Sequence, residues 1–128
     1  MAVLFGVNGD GMTASIDALN RDLNVIAQLL CNYRHYGQAR VVEEILGTLE
    51  TASPDYKRLC GIDMWGGSGA VWDVYLPRSH RSEQSKADER DFRRAIIRIA
   101  ETMNQLKIGT DRSRFIAATF QSWLDKGL

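Results

Sequence analysis

The chain has little of what builds a metal centre or a covalent scaffold: two cysteines, Cys31 and Cys60, two histidines, His35 and His80, and two prolines. The cysteines stand far apart and make no metal-ligand spacing. Two thiols in a domain of this size fit a reducing compartment, where stability rests on the core, so the expected location is the cytoplasm. No apolar run approaches the ~20 residues that a bilayer span needs. The opening MAVLFGVNGDG carries an apolar patch without a basic segment ahead of it, so no secretory signal is expected. Net charge is also missing, since 16 basic side chains balance 16 acidic ones. Repeats and low-complexity tracts are absent.

What remains is the composition of one soluble domain spanning 1–128, with 45% hydrophobic and 25% charged residues. A chain of this length buries roughly two thirds of its unfolded surface, enough for a core without staples. The balanced charge is unevenly placed. Residues 1–77 hold five basic against nine acidic side chains, and residues 78–128 hold eleven against seven. Such asymmetry concerns partners rather than fold.

Hydrophobic spacing gives the architecture. Ile16, Leu19, Leu23, Ile26, Leu30 and Tyr33 step by three and four, which predicts one face of a long helix from Thr13 to a C-cap at Gly37. Val42, Ile45, Leu46 and Leu49 define a second helix over 38–49, ended by Ser53-Pro54. Pro54 suits the first turn of a short helix carrying Tyr56 and Leu59. Phe92, Ile96, Ile99, Met103 and Leu106 predict a helix over 87–107, closed by Gly109. Thr110 or Asp111 then caps a last helix with Ile116, Phe120 and Leu124 as its stripe. The remaining β potential lies at 3–7, before the turn-like NGDG, and at 71–76, enough for a short two-stranded element at most. The expected fold is a mainly α, single-domain bundle of four main helices, with 1–11 a short strand or arm and 78–85 a mobile loop.

One stretch decides whether chemistry is expected. GIDMWGGSGAVWDVYLP (61–77) sets Gly66, Gly67, Ser68 and Gly69 between Trp65 and Trp72. A nucleophile elbow needs a strand before its serine, a helix after it, and a histidine base with an orienting acid. Asp63-Met64-Trp65 does not read as a buried strand, and the available bases are His35 and His80. A phosphate loop needs a lysine after its glycines, and a dinucleotide turn needs different spacing; neither is present. Asp63 and Asp73 flank the glycines without a nearby histidine, too few ligands for a metal. The favoured reading is a structural corner of Gly66, Gly67, Gly69 and Asp73, with Asp73 accepting hydrogen bonds from the loop amides or from an arginine. No catalytic, cofactor-binding or metal-ligating residue is assigned.

Arg90, Arg94 and Arg98 repeat every four residues on a side away from the apolar stripe. Arg93 and Arg98 are placed to pair with Glu89 and Glu101. A solvated, salt-bridged face is the ordinary outcome; an acidic protein or nucleic acid is the functional alternative, diluted by Glu83, Asp88, Glu89 and Asp91. Glu43, Glu44, Glu50 and Asp55 form an opposite acidic patch, and the YRHY cluster at 33–36 suits a cationic cap on a helix carboxyl end.

The element at Gly66, Gly67, Gly69, Ala70 and Asp73, followed by FRRAIIRIAETM, resembles small bacterial proteins of unknown function that carry GG-x-G-[SA]-x-x-D. Proteins of that kind are often suspected immunity partners of secreted toxins, which implies a non-enzymatic binding role and no catalytic residue. The expected function is a protein-binding module, an immunity or inhibitor protein that occludes a toxin or other enzyme. Its expected partner surface combines Trp65, Arg78, Arg81, Arg90, Arg94 and Arg98. A nucleic-acid-associated regulator using the same arginines is the alternative, followed by a hydrolase built on Ser68. No membrane association is expected, and a homodimer is compatible with each reading.

Overall fold

The computed structural model describes residues 2–78 and 80–128, with side chains described from Gly11 onward. Five helices follow in order: α1 (Ala2–Asn32), α2 (Tyr36–Leu49), α3 (Ile62–Trp65), α4 (Glu83–Gln105) and α5 (Asp111–Asp125), with a 3₁₀ turn at Val71–Asp73. The mainly α bundle expected from the spacing is the fold observed. The long helices form a chain of neighbours, α2 on α1, α1 on α4 and α4 on α5. Segment 61–77 touches both α2 and α5, so it closes the bundle where another helix would otherwise stand.

The stripes read from the sequence are the core. Leu19, Leu23, Ile26 and Leu30 of α1 meet Val42, Ile45 and Leu49 of α2 and Phe92, Ile96, Ile99 and Met103 of α4, all buried. Ile116 and Phe120 of α5 complete it. Both later helices start on reciprocal caps. The Ser82 and Thr110 hydroxyls accept from the backbone N–H of Ser85 and Ser113, whose own hydroxyls accept from the cap N–H groups at 2.8 and 2.9 Å. The S-E-Q-S start lengthens α4 by four residues beyond the expected 87.

Several boundaries differ from expectation. The backbone over residues 3–7 and the NGDG segment is part of α1, not a strand and turn. The segment 71–76 forms the 3₁₀ turn and then runs extended without pairing. Neither β-prone run finds a partner strand among the described residues, and over 3–7 the helix satisfies the backbone groups locally. Helices α1 and α4 end on Arg34 (φ 65°) and Lys107 (φ 62°) instead of at Gly37 and Gly109. His35 and Ile108 then donate backbone N–H bonds back to Leu30 and Met103 at 2.8 and 2.9 Å, so each end closes ahead of the glycine. The stretch after Pro54 is a turn, not a helix, although its Leu59 is buried. The expected loop 78–85 is largely tied down, with Ser82 as a cap and 83–85 inside α4; Ser79 lies outside the described residues.

The glycines of the corner are not equivalent. A Cβ on Gly66 would stand 2.5 Å from the Ile62 carbonyl oxygen, and Gly69 has φ +90°. A Cβ on Gly67 would meet nothing within 4 Å. Gly66→Ala is therefore expected to lower stability by about 2 kcal/mol, because a backbone carbonyl must move. Gly67→Ala is expected to stay within about 0.5 kcal/mol of the parent. Urea unfolding of the two variants checks this; equal effects would contradict it.

Candidate functional site

The corner is held from two sides. Trp65, 2% exposed, donates its indole N–H to the Leu59 carbonyl at 2.7 Å. Trp72 donates its own to the Gly66 carbonyl. Arg112 of α5 reaches the same place, with Nε on the Trp65 carbonyl at 3.0 Å and Nη2 on the Gly66 carbonyl at 2.9 Å. Its guanidinium lies 5.7 Å from the Trp72 ring centroid. The fixing role expected of Asp73 thus falls to Arg112. Asp73 is exposed, and no side-chain hydrogen bond to it occurs among the described residues. Trp65 belongs to the core, not to a partner surface.

Ser68 is exposed at the tip of the corner and makes no hydrogen bond with an imidazole among the described residues. His35 is engaged elsewhere: Nε2 lies 3.0 Å from the Leu76 carbonyl and Nδ1 3.5 Å from Arg78 Nη2. An arginine only donates, so this pattern fits the tautomer with the proton on Nε2. His80 is exposed.

The arginines expected at a partner surface have separate duties. Arg78 donates to the Tyr33 and Arg34 carbonyls at 3.0 and 2.8 Å, capping the carboxyl end of α1. A cationic cap at YRHY was expected; the cation comes from 45 residues away. Arg81 binds Glu89 at 2.8 Å, Arg94 binds Asp91 at 3.2 Å, and Arg98 binds Asp22 of α1 at 2.9 Å instead of Glu101. Arg90 is half-buried on α4. The face is mostly spent on intramolecular carboxylates.

Tyr33 at the same helix end donates to Asp88 at 2.6 Å. Burial, then the Asp88 bond, then the Asp88 and Glu89 charges push its phenol from 10.0 up to about 12. The folded state holds this proton more tightly than the unfolded chain. Its contribution is therefore complete below the unfolded value and is lost as pH rises through the folded one. Wild-type stability is expected to fall relative to Tyr33→Phe between pH 10 and about 12. Urea midpoints on either side of that window test it, and parallel curves would contradict it.

A cleft of about 170 Å³ opens between the extended 74–76 segment, α4 and α5. Trp72, Phe92, Phe120 and Trp123 supply apolar lining, Tyr75 stands at it 58% exposed, and Asp73, Glu89 and Arg93 supply the charge. Phe120 links the indoles, 6.2 Å from Trp72 and 5.3 Å from Trp123 between centroids. Glu89 is only 5% exposed and lies between Arg81 at 2.8 Å and Arg93 at 3.6 Å. The Arg93 guanidinium rests 5.3 Å from the Trp123 ring centroid. Burial pulls its affinity for protons below the ordinary arginine value, against the opposing pull of Glu89.

Trp72, Arg93, Arg112 and Trp123 were not assigned a partner-facing role from the sequence. Arg93 sits where its helical spacing to Glu89 reads as an ordinary surface pair, and Trp123 lies three residues beyond Phe120, beside the core stripe. A near-neighbour signal existed for each, but their meeting depends on how α4 and α5 pack.

No protein-family model, curated protein or solved structure matches the chain. Among the described residues, no helix is long and apolar enough to cross a membrane.

Proposed function

We propose that this chain is a protein-binding module that docks a partner at the aromatic cleft and acts, as an inhibitor, by covering the partner's working surface. The reading takes the cytoplasm as its setting, in keeping with the unbonded thiols of Cys31 and Cys60. The observation that carries it is the cleft's composition: Trp72, Tyr75 and Trp123 lie partly open to solvent, with Arg93 against the Trp123 indole. Tryptophan, tyrosine and arginine are the residues that dominate binding energy at protein interfaces. At about 170 Å³ the cleft is smaller than the ~300 Å³ at which pockets for whole small molecules begin, and suits a single anchoring side chain. The nucleic-acid alternative draws less support, because Arg94 and Arg98 already face Asp91 and Asp22.

Selection from a displayed random-peptide library against the full chain tests the proposal. Enriched binders are expected to lose at least about tenfold in affinity on Trp123→Ala or Trp72→Ala, and to tolerate Arg94→Glu. A selection that enriches nothing, or binders indifferent to both tryptophans, would contradict it. Binding by a second copy of the chain would appear as concentration-dependent mass in the same preparations.

A further inference from the structure

We infer that the cleft takes a cation carried on a straight apolar stem, and that its occupant is a lysine side chain of the partner protein. This rests on the cleft being the partner site and adds the chemistry of what enters it.

The lining sets the sign of the charge. Asp73 and Glu89 stand against a single cation, Arg93, so the lining carries one negative charge in excess. Arg81, which bonds Glu89, does not line the cleft. The Arg93 guanidinium rests on the Trp123 indole, and its Nη1 is closed to solvent. Asp73 is exposed and accepts no side-chain hydrogen bond among the described residues. Glu89 is the more telling carboxylate, because it is 5% exposed and only one of its oxygens is bonded. Oε2 takes the Arg81 Nε–H at 2.8 Å, while Oε1 faces Arg93 Nη2 at 3.6 Å, beyond hydrogen-bond reach. A covered carboxylate oxygen without a donor is costly, and such groups are normally satisfied.

A neutral apolar side chain would fill the aromatic walls and leave Glu89 Oε1 without a donor. A cation answers both demands, and lysine answers them better than arginine. A guanidinium pairs with a carboxylate through two parallel bonds, which need both oxygens. Arg81 already holds one of them. An ammonium is a point charge, for which the one remaining acceptor is enough. The lysine stem is apolar over four carbons and suits walls made by Trp72, Tyr75, Phe120 and Trp123. At about 170 Å³ the cleft has room for one such chain. Asp73 at the same lining adds the second negative charge. Because Trp72 and Trp123 form part of the walls, entry of the stem changes their surroundings and gives binding an optical and magnetic signature.

The test titrates the full chain with acetyl-Gly-Lys-Gly-amide and, separately, with the same peptide carrying norleucine or arginine in place of lysine. Norleucine keeps the stem and drops the ammonium. Indole resonances and tryptophan fluorescence follow the binding. The expected result is a saturable shift at Trp72 and Trp123 with Trp65 unmoved. Lysine is expected to bind at least about fivefold tighter than norleucine, and tighter than arginine. Glu89→Gln is expected to erase the lead over norleucine and Asp73→Asn to shrink it. Should Glu89→Gln fail to fold, Asp73→Asn still decides, since the Asp73 side chain is exposed and holds nothing in place. Equal binding of lysine and norleucine overturns the cation inference while leaving the cleft as a partner site. Arginine binding as tightly as lysine overturns the assignment to lysine. If none of the three peptides shifts the indoles, the inference falls, and the library selection then judges the partner site by itself. A lysine preference unchanged in Asp73→Asn, and in Glu89→Gln where that variant folds, also overturns it.

Discussion

Replacing Trp65 by alanine is expected to cost about 3–5 kcal/mol, the largest single effect in the molecule. The indole is 2% exposed and belongs to the one contiguous core. Its N–H is bonded to Leu59 at 2.7 Å, so truncation leaves both a void and an unpaired carbonyl. The backbone carbonyl of Trp65 also receives Arg112, which means the corner and α5 loosen together. Domains of this size are stable by about 5–15 kcal/mol, so the variant sits near the edge of folding at room temperature. Trp65→Phe keeps most of the volume and is expected to lose about half as much. Urea unfolding with an unchanged dependence on denaturant gives the comparison. A loss below about 1 kcal/mol for the alanine variant would mean that the indole is not a core residue.

The second large effect is expected at Arg98. Its partner Asp22 is 3% exposed on α1, and the bond between Nε and Oδ1 at 2.9 Å spans 76 residues of sequence. Removing the arginine leaves a covered carboxylate without its cation. Uncompensated buried charges of this kind cost about 3–5 kcal/mol. Arg98 itself is half-exposed, so water reaches the pair in part, and a loss of about 2–3 kcal/mol is the expected figure for Arg98→Ala. The sign of the double variant is the sharper readout. Asp22→Ala added to Arg98→Ala is expected to restore part of the loss, since both charges are then gone. A further additive loss would show that the two side chains act separately.

The helical layout was legible because each stripe of apolar residues repeats at helical spacing and is buried along most of its length: Leu19, Leu23, Ile26 and Leu30 in α1, Phe92, Ile96, Ile99 and Met103 in α4. Helix ends were less legible. Glycine is the cheapest residue for a left-handed turn, yet Arg34 and Lys107 take that conformation a few residues before the glycines that looked responsible. The corner at 61–77 packs into the core through Trp65, Val71 and Leu76, but the agent that holds it was not visible in the sequence. Asp73 sits in the corner and looked like its fastener, while Arg112 arrives from 46 residues further along the chain. Long-range pairings of this sort leave no periodic trace.

The same limit explains the partner surface. Arginines at intervals of four describe a face of one helix, and local spacing cannot say which carboxylates on other helices will claim them. Asp22 of α1 claims Arg98, while Arg94 goes to Asp91 of its own helix. Among the described residues one ion pair, Arg98 with Asp22, joins the acidic first part of the chain to the basic second part. Of the exposed aromatic side chains, Tyr75 and Trp123 lie where the extended 74–76 segment, α4 and α5 converge. Segment 61–77 thus shapes one wall of the cleft.

Hydrogen exchange of the three indole N–H groups in the full chain tests that view most directly. Trp65 is expected to exchange slowest, protected by burial and by the Leu59 carbonyl; Trp72, half-buried and bonded to Gly66, comes next. Trp123 is expected to exchange fastest, and Ser68→Ala to leave the order untouched. If Trp65 exchanges as fast as Trp123, or if Ser68→Ala reorders the three, the corner is not the packed wall described above.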